Sequence, residues 1–129
     1  MSKLETPMIR EYWKQVGGTL IEEFQVVSTG PGRSRRLIDA VIIPDGDKEI
    51  RSWQDVSLEG KNIIAVQAKA RRLGMYLMGQ ALFSKKLLED HFQPQSVISV
   101  ALCSKDDEVL RSLLEQYEGL KVVVLGRVD

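Results

Sequence analysis

Apolar positions along the chain alternate between helical and extended spacing, and glycine and proline mark most of the changes. Thr6-Pro7 reads as a helix start: threonine can cap free N–H groups, and proline is tolerated in a first turn. Ile9, Trp13 and Val16 follow at helical spacing, and Gly17-Gly18 closes the segment. Thr19 to Val27 is rich in β-formers and predicts a strand. A turn-rich loop, Ser28 to Ser34, leads into a second strand, Arg35 to Ile43, with a nearly continuous apolar centre. So short a loop predicts antiparallel pairing.

Pro44 to Gly60 shows no clear period beyond a turn at Pro44-Asp45-Gly46-Asp47. Asn62 to Gln67 predicts a third strand, and Leu73 to about Phe92 the longest helix. Leu73, Leu77, Ala81, Ser84 and Leu88 lie along one side of that helix. Pro94 stops it, and Gln95 to Leu102 predicts a fourth strand. Ser104, with Asp107 three residues on, opens a last helix. Its expected apolar stripe is Val109, Leu110, Leu113, Leu114 and Tyr117. Lys121 to Leu125 predicts a fifth strand.

The order α-β-β-β-α-β-α-β calls for an α/β fold: a mixed central sheet flanked by helices. It comprises a hairpin followed by three parallel strands with right-handed crossovers. The 129 residues suit a single domain spanning 1–129 with its own core.

Composition adds exclusions. Hydrophobic content of 43% and charged content of 28% are ordinary for a globular chain. The lone Cys103 has no partner for an internal disulfide. With no signal peptide in view, a reducing, cytoplasmic setting is expected. No apolar run reaches the ~20 residues of a membrane span. Eighteen basic and eighteen acidic side chains cancel, which argues against coating nucleic acid by bulk charge. A local basic rim remains open, from Arg33, Arg35 and Arg36, from Lys69, Arg71 and Arg72, and from Lys85 and Lys86. Taken singly, each cluster reads as solvated surface.

Two features stand apart from this pattern. Asp39 lies in the apolar run Leu37-Ile38-Asp39-Ala40-Val41-Ile42-Ile43, where an uncompensated carboxylate costs several kcal/mol. A cation is the simplest compensation. Gln67 and Lys69 end an otherwise apolar strand, two apart and so on one face. If the second and third strands are neighbours, Asp39 can join them. Such a set suits a hard divalent ion, which takes oxygen ligands, acidifies a bound water and polarises a phosphodiester. A lysine beside it can orient that water or neutralise phosphate charge.

The pattern "LIDAVII … AVQAKA" resembles the PD-(D/E)xK nuclease superfamily. Its "VQAK" form, with glutamine at the second acidic position, looks most like the Mrr-type restriction endonucleases. The resemblance covers roughly residues 5 to 102 and implies a restriction-endonuclease-like αβββαβ core, here followed by an extra αβ unit. It implies that Asp39, Gln67 and Lys69 are the catalytic set. Asp39, Gln67 and the Ala68 carbonyl would bind Mg²⁺ or Mn²⁺, and Lys69 would be the catalytic lysine. Ile38 stands where the family has proline, and neutral Gln67 removes one negative charge.

The superfamily often adds an acid from the first helix. Glu5 and Glu11 are candidates, with Glu22 and Glu23 on the first strand as alternatives. Gln80 matches a glutamine that RecB-like nucleases use to shape the site, although simple buried packing explains it equally well. Arg71, Arg72, Arg33 and Arg36 are candidate nucleic-acid contacts. Tyr76 could stack on a base or belong to the core.

The expected activity is metal-dependent hydrolysis of phosphodiester bonds in nucleic acid, DNA in the first instance. The alternative is a catalytically inactive module of the same fold that binds nucleic acid or a protein. A minimal domain that cuts both strands would act as a homodimer, and with no target-recognition domain in view, specificity would come from a protein partner or be absent. Lone His91 and the Gly30-Pro31-Gly32-Arg33 loop lack the neighbours that a zinc site or a P-loop would need.

Overall fold

A computed structural model describes residues 3–126. The elements are α1 (Glu5–Val16), β1 (Thr19–Val27), β2 (Arg36–Ile43), β3 (Glu49–Ile50), a 3-10 turn (Trp53–Asp55), β4 (Asn62–Arg72), α2 (Met75–Phe92), β5 (Ser96–Lys105), α3 (Glu108–Leu114) and β6 (Leu120–Val124). They build one six-stranded mixed sheet in the order β3-β1-β2-β4-β5-β6. The β1–β2 and β2–β4 ladders are antiparallel, and β4–β5 and β5–β6 are parallel. The hairpin and the parallel half thus follow the expected plan, and β2 and β4 are neighbours. The unassigned stretch after Pro44 contributes β3, a two-residue edge strand parallel to β1.

Both faces of the sheet are covered. Met8 and Ile9 of α1 pack with Leu20, Ala40, Ile42, Val66, Ala68 and Val100 on one face. On the other, Leu77 and Ala81 of α2 lie over Ala101 and Val122, and Leu88 meets Val41, Ala65 and Val97. The stripe Leu77, Ala81, Ser84, Leu88 is therefore the buried side of α2, as its spacing requires. Phe24 meets Phe92 edge-on, with ring centroids 5.2 Å apart.

Four local readings change. α1 begins at Glu5, so Thr6 lies inside its first turn rather than capping it. The strand that bears the Gln-x-Lys pair continues to Arg72, and α2 begins only at Met75. β5 likewise runs through Ser104 to Lys105. Asp107 rather than Ser104 caps α3, its Oδ1 accepting from the Leu110 N–H at 3.0 Å. The expected α3 stripe is mostly uncovered: Leu114 is buried, whereas Val109, Leu113 and Tyr117 are exposed. A seven-residue helix at the sheet margin has little neighbouring surface on which to bury a full face.

Candidate functional site

The site starts from a defect in the sheet. β2 and β4 pair only at Ala40↔Val66, Val41↔Ala65 and Ile42↔Ile64. Toward its start, β2 continues along β1 alone, through Ile38↔Phe24 to Arg36↔Val27. Toward its end, β4 continues along β5 alone, through Gln67↔Ala101 to Lys69↔Cys103. The two strands diverge at Asp39 and Gln67, and a wedge opens between them. Glu23, opposite this point on β1, has φ +50°, which breaks the side-chain alternation of the strand.

The divergence strips β4 of strand partners on that edge, and buried N–H groups must be satisfied otherwise. Two carboxylates take them. Asp39 Oδ2 accepts from the Ala68 N–H at 2.9 Å, and Glu5 Oε2 accepts from the Ala70 N–H at 2.9 Å. Glu5 is buried at the first turn of α1, which Met8 and Ile9 hold against the sheet. Two acids separated by thirty-three intervening residues therefore converge on one stretch of strand edge.

Burial pushes the Asp39 carboxyl above its ordinary value. The Ala68 N–H and the charge of Lys69 pull it back, and the charge of Glu5 pushes it further up. Asp39 is half-buried rather than enclosed, so the wedge is open to solvent on one side.

Gln67 is buried at 5% exposure, and its amide is engaged at both ends. Nε2 donates to Ser84 Oγ on α2 at 2.8 Å, and Oε1 accepts from the Asp39 N–H at 3.4 Å. Ser84 Oγ in turn donates to the Gln80 carbonyl at 2.6 Å. The chain α2–Ser84–Gln67–Asp39 ties the aspartate's backbone to the helix. This bracing is not visible from a strand pattern, because it needs the register of α2 over β4.

The remaining candidates separate. Lys69 lies beside Arg71, Met75 and Tyr76 in a hollow at the end of β4. Gln80 lines a groove with Gln67, Arg36 and Phe83. Glu22 is paired with Arg10 of α1 at 2.8 Å, and Glu11 lies within 3.9 Å of Lys14. Glu23 is exposed on β1. Glu5, one of the four candidate acids, takes a β4 N–H at the wedge. Arg33 folds back on its own loop, donating from Nε to the Ser28 carbonyl at 3.0 Å. Arg72 donates to the Asp106 carbonyl.

Oxygen donors, two of them carboxylates, beside a lysine suit a hard divalent ion that retains part of its water shell. No group of three or more acidic, histidine or cysteine side chains with metal-holding geometry occurs among the described residues. Such an ion would therefore rest on the Asp39–Glu5 pair and backbone oxygen. Compared with known proteins, the chain matches no family model, no curated protein and no solved structure. Among the described residues, no helix is long and apolar enough to cross a membrane.

Proposed function

We propose that this chain is a metal-dependent nuclease domain of the PD-(D/E)xK kind, acting on phosphodiester bonds in DNA. One observation carries the reading: the Asp39 and Glu5 carboxylates accept from the Ala68 and Ala70 N–H groups of one opened strand edge, on either side of Lys69 in sequence. A structural aspartate would need only the Ala68 N–H. A second buried carboxylate on the same strand edge adds negative charge there, which a bound cation relieves.

Asp39 and Glu5 would hold Mg²⁺ or Mn²⁺, with the Ala68 carbonyl, which leaves the strand on the same edge as its N–H, as a further oxygen. When bound, the ion supplies an acidified water and a polarised phosphate oxygen. Lys69 neutralises charge that builds on the phosphate and orients the attacking water. Gln67 replaces the family's second acid in sequence. In this reading it acts as a positioning residue, fixing the Asp39 backbone through its bond to Ser84. Glu5 then supplies the second charge from α1.

The test is cleavage of DNA substrates with Mg²⁺ or Mn²⁺, and its arrest by a chelator. Lys69→Met is expected to slow cleavage about 10²- to 10³-fold with metal affinity nearly unchanged, which single-turnover rates and a Mn²⁺ titration would resolve. Glu5→Gln should instead raise the metal concentration for half-maximal activity about tenfold or more. Cleavage that survives chelation would refute the metal's role.

The inactive module is the second reading, favoured by the neutral Gln67 amide, which bonds Ser84 and the Asp39 N–H. Partner binding without Mn²⁺ affinity would establish it. Dimerisation, or a separate protein that supplies specificity, belongs with either reading.

A further inference from the structure

The groove beside the wedge exposes side chains that neither the core nor the proposed chemistry uses. Met75 is 74% exposed, Tyr76 75% and Phe83 65%, all on α2. Large apolar side chains left in water around one depression mark a binding surface more often than chance. Tyr76 and Phe83 are seven residues apart, two helical turns, so they stand on the same side about 10 Å apart along the axis. That distance equals about three rises of a stacked strand. Tyr76 borders both depressions, the one with Gln67, Gln80 and Arg36 and the one with Lys69 and Arg71. The result is a continuous track: basic at Arg36, aromatic along α2, then basic again at Lys69 and Arg71.

We infer that this track binds a single-stranded nucleic-acid segment, with bases stacked on Tyr76 and Phe83 and phosphates set on Arg36, Lys69 and Arg71. Charge complementarity selects a polyanion, although the whole chain is neutral. The rings select its form. An aromatic face pairs with an unstacked base face, which a single strand offers and an intact duplex hides. The track deepens the nuclease reading, because it leads a strand past Lys69 to the wedge. The substrate class would then be single strands, flaps or frayed ends.

Binding is tested by fluorescence anisotropy in the presence of a chelator, so that cleavage plays no part. The probes are a labelled oligothymidylate and a blunt duplex of similar length. The native chain is expected to bind the single strand tighter. Tyr76→Ala with Phe83→Ala should weaken that binding about tenfold or more, while Tyr76→Phe stays near native. Both side chains are exposed, so the variants keep the core, and circular dichroism verifies this. Equal or tighter duplex binding, or an unaffected double variant, would overturn the track. So would a native dimer in sedimentation that the double variant dissociates, since the face would then be a self-interface. The outcomes for the two readings separate. Ring-dependent strand binding without any metal-dependent cleavage would sink the nuclease but keep the track. Cleavage that needs Asp39 but not the rings would do the reverse.

Discussion

Asp39→Asn is expected to reduce metal-dependent cleavage by about a thousandfold or more while leaving the domain at least as stable at neutral pH. The loss follows from removing the anionic oxygen that would anchor the ion. The stability result follows from proton linkage. Burial raises the Asp39 carboxyl in the folded chain, so the folded state binds that proton more tightly than the unfolded state. Stability from this group is fully present below the unfolded value of about 3.9 and is lost as pH rises through the raised folded value. At neutral pH the ionised group is a net burden that asparagine does not carry. The amide oxygen of asparagine still accepts from the Ala68 N–H, so that hydrogen bond persists. Thermal melts without metal, run from pH 4 to 7.5, should show a flatter decline with rising pH and an equal or higher midpoint. A variant that melts well below the native chain yet still cuts would make Asp39 a structural residue.

Gly18→Ala should destabilise the fold by about 4 kcal/mol, among the largest effects of any single methyl addition in this chain. Gly18 has φ +79°, where an L side chain is strained. A Cβ there would lie 2.1 Å from the Ile43 carbonyl oxygen and within 3 Å of the Pro44 backbone. These neighbours are main chain and cannot rotate away. The same residue receives the indole N–H of Trp13 on its carbonyl at 2.8 Å, which fixes the exit of α1 into β1. Urea unfolding should show a lower midpoint at an unchanged slope. A Gly17→Ala variant is the control: φ is +84° there, but a methyl group at that position would meet no atom within 4 Å. It should carry the backbone strain without the clash and cost less. Equal losses from both variants would show that steric contact contributes little.

The legibility of each element in the sequence has a physical cause. The apolar run around Asp39 and the helical stripe of α2 are local signals, because burial of one face repeats in sequence with the geometry of the element. β3 leaves no such signal, because two residues carry no period. β4 runs five residues past its predicted end at Gln67. Its last stretch holds Lys69, Arg71 and Arg72, which are polar although the backbone still pairs with β5. The α3 stripe stays largely uncovered because spacing says which residues share a face, not whether another surface waits to cover it.

The same distinction holds at the site. By itself, the sequence determined the anomalies, an acid within a buried strand and a Gln-x-Lys pair at the end of another, because both break a local hydrophobic rule. Glu5, Glu11, Glu22 and Glu23 are equivalent at that level, since nothing in a helix's own residues says which acid faces a distant strand. Tertiary structure set Glu5 apart, because its carboxylate takes a β4 N–H. The separation of β2 from β4 left the Ala68 and Ala70 N–H groups without strand partners, and buried donors of that kind must be satisfied. Only the packing angle of α1 brings Glu5 to the second of these donors, and that angle is a property of the assembled core.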